Sequence, residues 1–417
     1  MRQIAMVGGV ETFGVAIGGI AGLLIVNVMP KDQYAAYTFL VACITLVLGV
    51  TDLGLAHCCL PVVGQRTTEV PWVVGACQQV FRKRWVLLGL GLAIVGPYWY
   101  VTSNEHGWGG GGYLLASAFV VVVVLLSLRE HFASTVLLIL GHISTLNRIG
   151  FVSHFVRILF VGTVLLLPMT SWSVAGIVAA TAAASIVSVM LYRAEFRSRE
   201  IVDSARLGTE DARRVDAQVI KIAKPLVLPA IFYQVQGVIT VFLVSMFGTA
   251  TMVAEVGAFG RLAMVLIVVD RVTNVLLFPV IARAPEGERL RRILLVGHAV
   301  YLCTMALVLL TSIFFPQYWI LLLGEKYRSM EPLVWMVFLA SILQNASGFA
   351  FRSLTVRGAT AGQTYSILVT LVTQVLYLAV VGVSDLRAVL GFGIATAIAN
   401  FGYQYFLLSL RWWQWRT

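Results

Sequence analysis

Charge is scarce in this sequence: Asp, Glu, Lys and Arg make up 12% of the 417 residues, and only 19 are acidic against 30 Lys and Arg. Ordinary soluble domains carry about 25% charged residues, so that class is excluded, and 59% hydrophobic content marks a polytopic membrane protein. Cysteine is scarce too. Cys43, Cys58, Cys59, Cys77 and Cys303 lie in or beside apolar runs without CxxC or metal-ligand spacing, which points to packing residues rather than disulfides or a zinc site. No Ser/His/Asp or Cys/His set has the spacing of a nucleophilic centre, and no outer loop is long enough to carry catalytic groups, so the chain reads as a non-enzyme. The glycine run 107–112 lacks the lysine, serine and strand of a phosphate loop. A net charge of +11 does not indicate nucleic acid, because the basic residues lie between apolar spans rather than on one face.

What is present is apolar sequence in twelve runs, near 4–29, 34–60, 85–103, 113–140, 149–168, 172–192, 225–247, 256–281, 293–315, 331–350, 363–383 and 388–410. The first is longer than the core of a signal peptide and is read as a retained span. Numbering the loops alternately puts 22 Lys and Arg on one side and only Lys31, Lys326, Arg328 and Arg387 on the other. By the positive-inside rule the first side is cytoplasmic, and both termini lie there.

The one long polar stretch, 193–224, has mixed charge and helical spacing. It predicts a cytoplasmic linker between an N-terminal six-helix lobe, 1–192, and a C-terminal one, 225–417. An internal similarity supports two halves: an offset of 218 residues places Asp270 on Asp52, Pro279 on Pro61 and Val280 on Val62. The expected fold is therefore all-α and integral to the membrane, with twelve transmembrane helices in two lobes related as a parallel pseudo-repeat around a central cleft.

Ionisable residues inside spans are costly and face a bundle interior or a watery cavity, so they are the functional candidates. Glu11, Asp52 and Asp270 are candidate coupling or cleft acids, for protons or sodium. Asp52 and Asp270 have the alternative of bonding a helix end or an arginine. Arg261 and Arg271, ten residues apart and so about 15 Å along one helix, suit phosphate, because a guanidinium binds two oxygens at once and stays charged. Tyr233, Gln234 and Gln236 follow Pro225 and Pro229 in the seventh span and are candidates for sugar hydroxyls. Glu130 and Arg157, on the fourth and fifth spans, are expected to form a structural ion pair.

Gln33-Tyr34 followed by TDLGL closing the second span, AEVGAFGRLAMV with LLFPVIAR in the eighth, and LLLGEKYRSMEPLVWMVFLASILQ leading the tenth occur in an order and spacing that run from end to end. Together they resemble the Wzx-type lipid-linked oligosaccharide flippases and polysaccharide transporters of the MOP (MATE-like) exporter superfamily. The resemblance implies export of an undecaprenyl-diphosphate-linked oligosaccharide, an O-antigen, capsule or exopolysaccharide repeat unit, across a bacterial plasma membrane by alternating access. It implies the lipid bilayer and a polysaccharide polymerase as partners, and no cofactor beyond a coupling ion. The competing reading is a MATE-like drug/cation antiporter, against which the seventh span's lack of an acid and the cationic Arg261 and Arg271 argue.

Overall fold

The computed structural model describes residues 18–414 apart from 65, 202–206, 286, 356, 358 and 360–361. Side chains at 57, 225–226, 268, 271–272, 274–276, 279, 282–283 and 412–414 also lie outside the description. Among the described residues there is no strand.

The helices are α1 (Gly18–Val28), α2 (Lys31–Asp52), α3 (Cys59–Val63), α4 (Val70–Glu105), α5 (Gly111–Ile139), α6 (Ile143–Leu166), α7 (Ser173–Ser198) and α8 (Thr209–Phe247). They continue as α9 (Ala250–Leu276), α10 (Phe278–Arg283), α11 (Glu288–Phe314), α12 (Pro316–Leu323), α13 (Val334–Thr355), α14 (Tyr365–Val380) and α15 (Leu386–Gln414). Among the described residues ten stretches are long and apolar enough to cross a bilayer, and α1 and α14 are shorter apolar helices, so each of the twelve expected spans contains a helix; residues 4–17 of the first expected span lie outside the described residues.

The expected 34–60 span stops early, at Asp52. Leu53 and Gly54 take φ of 39° and 83°, a left-handed turn that glycine tolerates, and a 3-10 turn, Leu55–Cys58, follows before α3. The eighth span likewise ends at Leu276, and Pro279 sits in the first turn of α10, where its missing N–H costs nothing. The 218-residue offset extends beyond these two breaks. Moving α4 by 218 covers 288–323, the stretch occupied by α11 and α12.

Two compact units emerge from the packing: 32–246, and 1–31 together with 247–417. Helix α1 thus belongs with α9–α15, and α8 with α2–α7.

Within the 32–246 unit, α5 packs chiefly on α7, whose sequence VAGIVAATAAASIVS presents small side chains that let backbones approach. The basic-rich end holds a core of Cys58, Cys59, Cys77, Val80, Val215 and Val219, all at most 1% exposed. That core explains Cys58, Cys59 and Cys77 as packing residues; Cys43 is buried on α2, whereas Cys303 on α11 is exposed. The core also shows that much of 193–224 is ordered structure: α7 runs to Ser198, α8 starts at Thr209, and Val215 and Val219 bury one face of it.

Within the other unit α13 packs on α15 and on α11. The LLLGEKY motif closes one end of α1. Lys326 Nζ donates to the carbonyls of Asn27, at 2.9 Å, and Met29. A cation there satisfies otherwise unpaired carbonyls at the negative end of the helix dipole.

Candidate functional site

Arg261 lies midway along α9, half-buried. Its aliphatic stem and guanidinium occupy the space a side chain at Gly22 of α1 would need: a Cβ there would stand 2.9 Å from Arg261 Cδ and 3.0 Å from Nη1. A glycine on α1 therefore makes the notch in which this arginine rests. Nη1 also lies 3.7 Å from Met264 Sδ, a weak acceptor.

Nine residues further along α9, Asp270 faces a different neighbour, as 100° per residue requires. Its Oδ1 accepts a 2.7 Å hydrogen bond from Tyr301 of α11, and its Oδ2 stands 3.9 Å from Arg352 of α13. Charge and hydrogen bonding together hold this carboxylate in the bundle. Glu11 and the side chain of Arg271 lie outside the described residues.

In the other unit the repeat-related Asp52 has a similar arrangement. Its Oδ1 accepts from the Ala56 backbone N–H at 3.0 Å and stands 3.6 Å from Arg84 Nη2 of α4. Arg84 is 2% exposed and also lies over the Phe81 ring, 4.8 Å from its centroid. Each repeat acid thus reaches a partner on the next long helix, 32 residues on for Asp52 and 31 for Asp270. Neither Arg84 nor Tyr301 was singled out by the sequence reading; the 218-residue offset carries Lys83, beside Arg84, onto Tyr301, and that was the available signal.

Of the sugar-facing candidates, Tyr233 is 46% exposed and Gln236 is half-buried. Gln234 is engaged within its own unit. Its Nε2 donates to the Thr45 carbonyl at 2.7 Å, and its side chain fills the notch at Gly49, where a Cβ would come 1.9 Å from Gln234 Cδ. The backbone of α8 stays helical through Pro225 and Pro229.

The expected Glu130–Arg157 ion pair is corrected. Among the described residues no ion pair joins them; Glu130 Oε1 accepts from the Ser188 hydroxyl of α7, and Arg157 Nε is buried without a hydrogen-bond partner. The reason is packing: Glu130 sits on α5, whose main neighbour is α7 rather than α6, which carries Arg157.

Neither a family model nor a curated protein matches the sequence. Solved structures do match. One is the inward-facing conformation of a multidrug resistance MATE family transporter of the MOP superfamily, 15% identical, covering 95% of this chain and 95% of that chain at a TM-score of 0.71. The outward-facing conformation of such a transporter is 14% identical, covering 98% and 95% at 0.61. A third is a MOP superfamily transporter from Pyrococcus furiosus, described as having a binding pocket of reversed polarity that suggests a different function; it is 12% identical, covering 97% and 95% at 0.62. The protein is a multi-pass, all-helical chain with the twelve-helix fold of the MATE-like transporters of the MOP superfamily.

Proposed function

We propose that the protein is a flippase that carries a polyprenyl-diphosphate-linked oligosaccharide across a bacterial plasma membrane by alternating access of two six-helix lobes. The observation that carries this reading is Arg261: a guanidinium in the middle of a membrane span, seated in a notch that a glycine provides. Such a group would bind the diphosphate through paired N–H donors, with Arg271 as a second ligand. Tyr233 and Gln236 would meet sugar hydroxyls, and Gln234 would do so on leaving Thr45. The polyprenyl tail stays in lipid. Free passage of two phosphates and several sugars through hydrocarbon is prohibitive, so a polar path is required. Asp270, Glu11 or Asp52 would couple the cycle to protons or sodium, and a polysaccharide polymerase would take up the product. No bond is made or broken in this cycle.

One solved structure of similar fold is described by a reversed polarity of its binding pocket that suggests a different function. The drug/cation antiporter reading rests on the multidrug transporters that share the fold. Arg261→Gln separates the two. It is expected to lower export of the lipid-linked oligosaccharide by about 10-fold or more, the value of a charge-assisted bond, and to leave efflux of cationic dyes unchanged or raised. Loss of dye efflux with lipid export intact would favour the antiporter.

A further inference from the structure

The 32–246 unit contains a cavity of about 860 Å³ at its basic-rich end, formed by α4, α5, α7 and the start of α8. Pockets of roughly 300–1,000 Å³ are the size of small-molecule sites. Its wall carries Arg82, Arg129 and Arg193, and no carboxylate lines it among the described residues. None of the three forms an ion pair among the described residues. The nearby acid is already committed: Asp216 is held by Lys83 at 2.5 Å and by Gln79 at 2.9 Å. Partial burial pushes the Asp216 carboxyl up, yet the Lys83 and Gln79 hydrogen bonds and the charges of Lys83 and Arg82 outweigh it and hold the group below the usual carboxylate range. The floor is apolar. Leu128 and Phe132 line it, and Trp85 places its ring 5.8 Å beneath the Arg129 guanidinium, an arrangement that orients the cation.

We infer that this cavity binds the phosphate headgroup of an anionic phospholipid, with Arg82, Arg129 and Arg193 holding the phosphate and the Leu128–Phe132 floor receiving the first segment of an acyl chain. Three cations facing one cavity without a lining acid repel one another until an anion enters, and the guanidinium fork matches phosphate oxygens. The apolar floor selects a lipid over free phosphate, which would leave that surface in water. The site uses no residue of the transport site and does not depend on the flippase reading.

The test is native mass spectrometry of the purified full-length protein, delipidated and then given phosphatidylglycerol, phosphatidylcholine or inorganic phosphate. One phosphatidylglycerol is expected to be retained in preference to phosphatidylcholine, and inorganic phosphate is not expected to displace it. The double variant Arg129→Gln/Arg193→Gln should lower that retention by about 10- to 100-fold, whereas Arg328→Gln, an exposed arginine of the other unit, should not. Arg129→Lys keeps the charge and should lose less. Trp85→Leu leaves every charge in place and should still weaken retention severalfold, which keeps the inference testable if the double variant does not fold. Equal loss in Arg328→Gln, equal retention of phosphatidylcholine, displacement by inorganic phosphate, or full retention by the arginine and tryptophan variants would each overturn it.

Discussion

Replacing Gly49 by alanine tests whether Gln234 locks two helices of its unit together. An added Cβ would lie 1.9 Å from Gln234 Cγ and Cδ and 2.5 Å from Nε2. Carbon atoms in ordinary contact stand about 3.5–4.0 Å apart, so the middle of the side chain, not only its tip, has to move. The 2.7 Å bond to the Thr45 carbonyl is lost with that movement. Overpacking costs about 1–3 kcal/mol, and an interhelical side-chain bond within a membrane about 0.6 kcal/mol. Gly49→Ala should therefore destabilise the protein by about 2–3 kcal/mol. Adding Gln234→Ala removes the clash and leaves only the lost bond, so the double variant should return to within about 1 kcal/mol of the parent. Thermal unfolding of the purified full chain in detergent measures both changes. A Gly49→Ala protein as stable as the parent, or a double variant no more stable than Gly49→Ala, would refute the reasoning. Transport by the stable double variant then tells whether Gln234 also contacts cargo: intact export limits it to the helix contact, and lost export adds the sugar role.

Tyr301→Phe should cost about 1 kcal/mol, because it removes the 2.7 Å bond to Asp270. Arg352→Gln should cost less, since its nearest approach to Asp270 is 3.9 Å and its side chain is 42% exposed; thermal midpoints in the opposite order would contradict this assignment. Asp216 has its folded pKa depressed, so its stabilising contribution is present above the unfolded value of about 3.9 and disappears as pH falls through the folded value. The difference in thermal midpoint between the parent and Asp216→Asn should be largest near about pH 7, begin to shrink near about pH 4 and continue to fall as the pH drops through the folded value; a difference that does not shrink in acid would sink that account.

The spans were legible because hydrocarbon demands long apolar runs, and the pattern says so directly. Their ends were not. The first turns of α4, from Val70 to Arg84, carry charge and lie before the apolar run, so they read as loop although one face buries Val73, Cys77 and Val80. The end of α2 at Asp52 was not legible because nothing in TDLGL announces that Leu53 and Gly54 turn the chain. The Glu130–Arg157 pairing failed for another reason: succession along the chain does not set which helices touch, and the small residues of α7 bring it, not α6, against Glu130. Gln234 and Gly49 are far apart in sequence, and a glycine's missing side chain leaves no periodic mark, so that contact could not be read from the sequence alone. Arg261 was legible because a charge at that depth stands out against its apolar surroundings, but its seat at Gly22 was not.

The most direct measurement is the leaflet position of the cargo. Cells depleted of the protein would be extracted for polyprenyl-diphosphate lipids, the lipids weighed by mass spectrometry, and their sugars probed with a membrane-impermeant glycosidase. The flippase account predicts that complete oligosaccharide-lipids accumulate where the enzyme cannot reach them, and that the parent protein, but not Arg261→Gln, clears them. If no such lipid accumulates, or if it is already accessible from outside, the account is contradicted.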